Sequence, residues 1–561
     1  MVRSGRARAP GDRSVLGRLA SPLLLSLALL LAFGAVMIVQ ARRLTAEPAA
    51  AVSGAPAGAV LRWSNEGISD IYTLDPAGGP DFNALQAIQL IYGGLVRFGP
   101  GFRILPDAAQ RWTISGDNRT FTFFLRPDVR FGDGKILTAD DVAFSLNRVL
   151  SPGLAQQSGA YLLTDVVGAP GVMAGRAKRA AGIEVLGPRT IRIRLTHTSA
   201  SFLARLATPV GYIVPPWRVR AGAGWDQRAI GTGPFMVARW VHNDSLQLVP
   251  NPYYYGGKLE LSGIDMSFIP EPLNAYKRYR AGAVDLMGIV HFPSEVLYDV
   301  QGQPDFHQSA RLETVYLTLN ERRRPFNDMR VRLAFAHALD KNAVVRDAYG
   351  GFAHPTNGML PPGIPGYDPR LRGASYDPVL ARRLLAAAGY AGGRGLPPVS
   401  YPVDQDASSM VLASALARQW KQVLGVDVRL VRYTHSAYLD LLQRLQFQIA
   451  DIDWTADYPD PDNFLTQQLQ AGSPNNNGGW DNRLFDQLTT RAGEMPPASP
   501  QRFALYRRAE ALAMSQAATI PLVNPTAGIL LRPDIHGLQI SGGYLLVQNW
   551  ATVGIQSGTG Q

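Results

Sequence analysis

The chain has 561 residues, of which 46% are hydrophobic and 18% are charged, so it can bury more than one core and is too apolar to be disordered. Its net charge of +11 would favour nucleic-acid binding, but seven arginines against one aspartate within residues 1–43 supply +6 of that total. The absence of cysteine excludes thiol catalysis, disulfides and zinc–thiolate sites. We therefore expect two or three globular lobes and no nucleic-acid partner.

The N-terminus has the pattern of an export signal. Residues 1–18 form a basic flank, and residues 19–41 carry no charge and contain two leucine triplets. This run is longer than a typical signal core and reaches the ~18–20 residues that a membrane span needs, so a cleaved signal sequence and a retained membrane anchor both remain open. Residues 42–59 resemble a linker, and either outcome places residue 60 onward outside the cytoplasmic membrane.

The first half of the folded region combines strands with two helices. Val60 opens a strand, and Thr138 is a suitable N-cap with Asp141 three residues later, which is a carboxylate variant of the capping box. The predicted elements in this half are a strand at 60–63, a helix at 83–92, a strand-turn-strand unit at 112–129, a helix from residue 138 and a half-exposed strand at 190–195.

In the second half, predicted helices and strands alternate. The helices are expected at 327–349, 377–388, 408–424 and 439–446, and the strands at 426–433 and 447–454. The first of these helices is expected to be continuous, because its apolar residues fall close to one stripe. Such alternation is typical of α/β lobes with open, mostly parallel sheets, in which ligands bind beyond the carboxyl ends of strands.

Several short motifs follow one another in an order that resembles a known family. They are Val129-Arg130-Phe131-Gly132-Asp133-Gly134, Leu137-Thr138-Ala139-Asp140-Asp141-Val142, Gly231-Thr232-Gly233-Pro234-Phe235, Asn251-Pro252-Tyr253-Tyr254, Pro325-Phe326-Asn327-Asp328 and Trp454-Thr455-Ala456-Asp457-Tyr458-Pro459. Each is weak alone, but together they resemble the family 5 solute-binding proteins, which include the dipeptide- and oligopeptide-binding subunits of ABC importers.

The resemblance implies an α/β, periplasmic-binding-protein-like fold with two lobes, an extra inserted domain and a cleft that closes about a hinge. The implied domains are lobe I at 60–94, 186–312 and 525–561, an inserted subdomain at 95–185, and lobe II at 313–524.

The resemblance also implies a function without catalysis. The chain would be the periplasmic substrate-binding component of an ABC transporter, capturing peptides, with oligopeptides favoured, and delivering them to the permease subunits. It would act as a monomer, with no enzyme activity, no cofactor and no metal, and would touch the membrane only through residues 19–41 if these are not cleaved. The alternative within the family is the same fold binding a non-peptide solute, such as a nickel chelate, an opine or an oligosaccharide.

The resemblance further implies a ligand-binding segment of Trp454, Ala456, Asp457 and Tyr458. In peptide-binding relatives, the acidic residue at the place of Asp457 pairs with the α-ammonium of the peptide. A carboxylate at a strand end, shielded by aromatic rings, gains charge-assisted hydrogen bonds from a bound ammonium. The alternatives remain that Trp454 and Tyr458 are core residues, and that the carboxylate serves only the local turn.

The residues that flank this segment are acidic. Asp460 and Asp462 follow it, where an Asx-turn or a helix N-cap belongs. Asp451 and Asp453 precede Trp454, at a place where relatives that fix a peptide carboxylate have a basic residue. This departure favours longer or cationic peptides over short ones with a paired carboxylate.

A different class, an extracytoplasmic hydrolase or a sensor partner, is the remaining hypothesis. It would require a Ser/His/Asp or metal constellation. The eight histidines are scattered and show no metal-ligand spacing.

Overall fold

The structure is a computed structural model that describes residues 59–156, 159–288, 292–541 and 544–556. The basic flank at 1–18 and the predicted signal or anchor at 19–41 lie outside these residues. Within the described ranges, no helix combines the length and the apolar character that crossing a bilayer requires.

Strands form most of the framework. In chain order they are β1 (Val60–Glu66), β2 (Val96–Phe98), β3 (Ile104–Pro106), β4 (Ala109–Ile114), β5 (Thr120–Leu125), β6 (Ile183–Gly187), β7 (Thr190–Arg194), β8 (Phe235–Val241), β9 (Ser245–Pro250), β10 (Gly263–Ile269), β11 (Leu286–Met287), β12 (Phe306–Ala310), β13 (Glu313–Leu319), β14 (Ala353–Pro355), β15 (Val399–Asp404), β16 (Val428–Tyr433), β17 (Ile449–Thr455), β18 (Thr519–Leu531), β19 (Ile535–His536), β20 (Ile540–Ser541), β21 (Tyr544–Leu545) and β22 (Gly554–Ile555).

The helices pack around these strands. They are α1 (Phe82–Ile91), α2 (Ala139–Val149), α3 (Ala169–Met173), α4 (Phe202–Leu206), α5 (Pro216–Val219), α6 (Pro272–Arg280), α7 (Leu297–Val300), α8 (Met329–His337), α9 (Lys341–Tyr349), α10 (Pro378–Ala387), α11 (Ala407–Leu424), α12 (His435–Gln443), α13 (Pro461–Phe464), α14 (Thr466–Leu469), α15 (Arg483–Gly493) and α16 (Pro500–Ser515).

One ten-stranded sheet runs through the molecule in the order β17-β13-β18-β11-β1-β10-β9-β8, and β12 and β14 also pair with β18. The 13-residue strand β18 is therefore shared between two groups of strands: β13 and β14 pair with its first half, and β11 and β12 with its second. The proposed boundary between lobes at residues 524 and 525 falls within this strand, and the division into lobes stays a prediction.

Five smaller sheets accompany the large one among the described residues, and two of them bear on the α/β architecture. A four-stranded antiparallel sheet has the order β4-β5-β7-β6, and β15 pairs in parallel with β16. Helix α11 packs on the second of these sheets and ends at Gly425, which adopts φ +72. A glycine suits this position, because a left-handed conformation ends the helix without a side-chain clash.

Three large hydrophobic cores hold these layers together. The first joins residues of the four-stranded sheet, such as Phe121, to Phe464 and Phe485 from the segment after β17. The second lies around β1 and β10 and contains Trp63. The third lies beneath α8, α9 and α11 and contains Trp420. The predicted mixed α/β class is confirmed.

Two sequence predictions about this fold are wrong. The sheets are not mostly parallel, because β18 is antiparallel to each of β11, β12, β13 and β14. The helix expected at 327–349 is two helices, α8 and α9. Asp340 interrupts the pattern because its side chain accepts hydrogen bonds from the backbone N–H groups of Asn342 and Ala343, and so begins a new helix.

Candidate functional site

The candidate ligand-binding segment lies at the end of β17, as the sequence predicted. This strand pairs with β13 up to the partners Thr455 and Glu313, and the chain then leaves the sheet. Asp460 ends the loop by capping α13, where its Oδ1 accepts a hydrogen bond from the backbone N–H of Asp462 at 3.1 Å. The loop at 456–460 is therefore fixed at one end by the sheet and at the other by a capped helix.

Asn463 orients the carboxylate of Asp457. Its Nδ2 donates to Asp457 Oδ2 at 2.9 Å, and its Oδ1 accepts from the Asp457 backbone N–H at 3.1 Å. The hydroxyl of Tyr161, more than 290 residues earlier, also donates to this carboxylate. Burial raises the pKa of Asp457 above its ordinary value, and the hydrogen bonds from Tyr161 and Asn463 oppose that shift. The partners of the carboxylate are neutral, so its charge is hydrogen-bonded but not neutralised.

The side chains of Trp454 and Tyr458 stabilise this loop from the side that does not line the cavity. The indole N–H of Trp454 donates to Asn463 Oδ1 at 3.0 Å, and its ring is half-buried against the first core. Tyr458 is 1% exposed, and its hydroxyl accepts a hydrogen bond from Gln467 at 2.9 Å. Neither ring lines the cavity described below. Their proposed contact with a ligand stays a prediction.

A cavity of about 300 Å³ opens beside Asp457, a volume at the lower end of the range for ligand pockets. Thr455, Ala456 and Asp457 form one wall. The other lining residues are Pro76, Gly79, Pro80, Phe82, Leu85, Gln89, Gly159, Tyr161, Leu162, Thr208, Pro209, Val210 and Tyr544. Among the described residues that line this cavity, Asp457 is the one with a charged side chain.

The two later aspartates serve the structure. Asp460 Oδ1 contacts Arg502 Nη2 at 2.5 Å, and Arg502 is 1% exposed. Asp462 Oδ2 accepts a hydrogen bond from the hydroxyl of Ser201 at 2.7 Å. Burial and the neighbouring charge of Asp460 raise the pKa of Asp462 to about 7. Asp460 is buried and held by the helix N-terminus and Arg502, which agrees with the cap interpretation for this residue.

Sequence reasoning missed three residues of the site. Tyr161 and Tyr544 line the cavity, and the Tyr544 hydroxyl donates to the backbone oxygen of Asp457 at 3.3 Å. Asn463 had no predicted role. An asparagine six residues after an aspartate matches no helix or strand period, so the sequence did not indicate Asn463. The two tyrosines are distant in sequence, and only the tertiary structure brings them to the site. Within the described part of the chain, no group of three potential metal ligands was found.

Segments that are distant in sequence together form a partly enclosed cavity around a single carboxylate. A binding protein is organised in this way. The model of the family "Bacterial extracellular solute-binding proteins, family 5 Middle" matches residues 103–476. The chain therefore belongs to the family 5 bacterial extracellular solute-binding proteins.

Relatives in this family differ in what their names say they bind. The chain is 28% identical to the probable deoxycholate-binding periplasmic protein YgiS of Escherichia coli (strain K12), over 86% of this chain and 91% of the relative. It is also 28% identical to the periplasmic murein peptide-binding protein MppA of the same organism, over 87% and 92%. A solved structure of the murein tripeptide-binding protein in its unliganded open form is 27% identical and superimposes with a TM-score of 0.78, covering 89% of this chain and 99% of that one.

Proposed function

We propose that this chain is the extracytoplasmic substrate-binding component of an ABC transporter, and that it captures peptides in the cavity beside Asp457. Family membership and the periplasmic relatives support the transport role. Delivery to a permease requires only that the loaded form differ from the empty one, so the protein needs no catalytic chemistry. The basic flank and apolar run at 1–41 support export to the periplasm, either as a cleaved signal or as an anchor.

The observation that carries the peptide proposal is the charge of the cavity. Asp457 is the charged residue among its described lining, and the remaining surface is mainly proline, leucine, phenylalanine and tyrosine. An α-ammonium group would form charge-assisted hydrogen bonds with this carboxylate. A ligand that presents a carboxylate, as deoxycholate does, would meet a like charge without a compensating cation. The cavity therefore favours a ligand with an amine and an apolar body.

A titration with matched ligands tests this proposal. The probes are penta-alanine with a free amino terminus and its N-acetylated form, measured by calorimetry against the wild type and Asp457→Asn. Asparagine keeps the acceptor oxygen for Asn463 but removes the charge. We expect the variant to bind the free peptide roughly ten- to a hundredfold more weakly, since a hydrogen bond to a charged group contributes about 1.5–3 kcal/mol.

The matched control is Asp128→Asn, which alters an exposed aspartate outside the cavity lining and should bind as the wild type does. Equal affinity for the acetylated and free peptides, or unchanged affinity in Asp457→Asn, would contradict the proposal. Binding of an amine-free solute instead of either peptide would favour the non-peptide alternative.

A further inference from the structure

A second cavity, of about 560 Å³, lies beside the junction of β12, β14 and β18. Its walls come from the start of α6, the segment before α7, the end of α9 and β18. Three aromatic rings line it, those of Phe292, Tyr349 and Phe352. The charged groups among its described lining residues are Glu271, Glu295 and Arg311.

A row of acidic side chains connects this cavity to the first. Alternate residues of a strand share one face, so Asp451, Asp453 and Thr455 of β17 lie on the same face as Glu313, the partner of Thr455. We call Asp451, Asp453 and Glu313 the acidic row. Thr455 lines the first cavity and contacts the Glu313 carboxyl.

The same end of the acidic row also adjoins the second cavity, through Glu313. Arg311 lines that cavity, and its Nε contacts Glu313 Oε2 at 3.0 Å. Burial of the Tyr349 hydroxyl is the main cause that raises its pKa. The nearby negative charges of Asp451, Asp453 and Glu313 raise this pKa further. Contacts of the Glu313 carboxyl therefore link Thr455, which lines the first cavity, to Arg311, which lines the second.

Among the described residues that contact the acidic row, Arg311 is the one with a positive charge. Its guanidinium is already paired with Glu313. The hydroxyls of Tyr401 and Tyr438 donate to Asp451 Oδ1 at 2.8 and 3.3 Å. Burial and the neighbouring Asp453 raise the pKa of Asp451 to about 6, which leaves this carboxyl mostly ionised at pH 7. Asp453, Glu271 and Glu295 are exposed. The acidic row and the described lining of the second cavity together thus carry several negative charges and one positive charge.

We infer that the ligands of this protein are basic oligopeptides, and that the second cavity receives a lysine or arginine side chain of a peptide whose amino terminus pairs with Asp457. This inference rests on the proposed function and specifies the substrate class of that site. The apolar stem of the side chain would pack against Phe292 and Phe352, while its charged head would face the acidic row and the ring of Tyr349. A ligand carboxylate at this end would be repelled.

The separation between Asp453 and Asp457 determines which position of the bound peptide should carry the basic residue. Asp453 and Asp457 are four residues apart, which corresponds to at most about 13 Å along an extended chain. A bound peptide in extended conformation covers that distance with four residues. The fourth residue of the peptide is therefore the position at which a positive charge should increase affinity.

Three pentapeptides of equal length, each with a free amino terminus and an amidated carboxyl terminus, test this inference: Ala-Ala-Ala-Lys-Ala, Ala-Ala-Ala-Ala-Ala and Ala-Ala-Ala-Glu-Ala. We expect the lysine peptide to bind roughly tenfold or more tightly than the glutamate peptide, with the neutral peptide between them. The preference should weaken as salt concentration rises, because the acidic side chains are partly solvated. Spermidine serves as a cation that lacks a peptide backbone, and we expect it to bind more weakly than the lysine peptide.

Two substitutions test which carboxylates cause the preference for the lysine peptide. Asp453→Asn and Glu295→Gln replace exposed carboxylates, so both should fold. We expect each to reduce the preference for the lysine peptide severalfold without changing the affinity for the neutral peptide. Asp128→Asn should leave all three affinities unchanged.

The outcomes separate the two proposals. If the three peptides bind equally well, or if the two variants keep the lysine preference, the basic-peptide inference is wrong and the proposed function stands. If none of the peptides binds, both are wrong. If spermidine binds as tightly as the lysine peptide, the site recognises cations and not basic peptides.

Discussion

We propose that the selectivity of the site comes from the environment of one residue. Asp457 is placed in a mainly apolar cavity and is held by Asn463 and Tyr161, which donate hydrogen bonds but bring no charge. The carboxylate is thereby oriented and remains electrostatically unsatisfied. A bound ammonium would supply the missing countercharge, and a solute without a cation would bury the carboxylate at a cost.

This arrangement predicts that acid weakens the binding of a neutral peptide. The pKa of Asp457 is raised above its ordinary value, and the ammonium binds the ionised carboxylate. Affinity should therefore be full well above this pKa and should fall as the pH decreases toward and through it. Titrations of penta-alanine at pH 7, 6, 5 and 4 measure the effect. Asp457→Asn should show little pH dependence over this range, whereas an affinity of the wild type that increases on acidification would contradict the account.

At the scale of elements, the site depends on how α13 is held. Asp460 caps this helix and pairs with the buried guanidinium of Arg502 from α16. The helix in turn presents Asn463, which orients Asp457. A short helix of four residues has little stability of its own, so the cap and the buried ion pair decide whether the loop keeps its geometry.

We predict that Asp460→Ala destabilises the protein by about 3–5 kcal/mol, because it removes the cap and leaves a buried guanidinium without its partner. Denaturant unfolding, followed by tryptophan fluorescence, measures the change. Asp328→Ala is the matched control: Asp328 also caps a helix and pairs with an arginine, but Arg330 is half exposed. That variant should lose only about 1 kcal/mol. Equal losses in the two variants would show that the buried pair adds nothing.

The resemblance to the solute-binding family indicated the candidate segment, but no signal in the sequence indicated what surrounds it. The strand predicted at 447–454 is confirmed as β17, and Asp457 follows two residues after its end. Tyr161 and Tyr544 could not be predicted as its neighbours, because they lie about 300 residues before and about 90 residues after Asp457 and meet it only through tertiary packing. The same limit explains the sheet. Alternating helices and strands indicate a parallel order only when each helix crosses over between neighbouring strands, and β13, β17 and β18 pair as antiparallel neighbours.

At the scale of the whole molecule, β18 connects the strands that carry the site to those around β1 and β10. We propose that closure about this shared strand brings the walls of the first cavity onto a bound peptide. The lobe boundaries predicted from the sequence belong to this proposal.

A crystal structure of the protein with bound penta-alanine tests the central claim most directly. The account predicts that the peptide occupies the first cavity with its terminal nitrogen about 2.7–2.9 Å from an oxygen of the Asp457 carboxylate. A peptide that lies elsewhere, or that is bound there with its amino terminus directed away from Asp457, would contradict it.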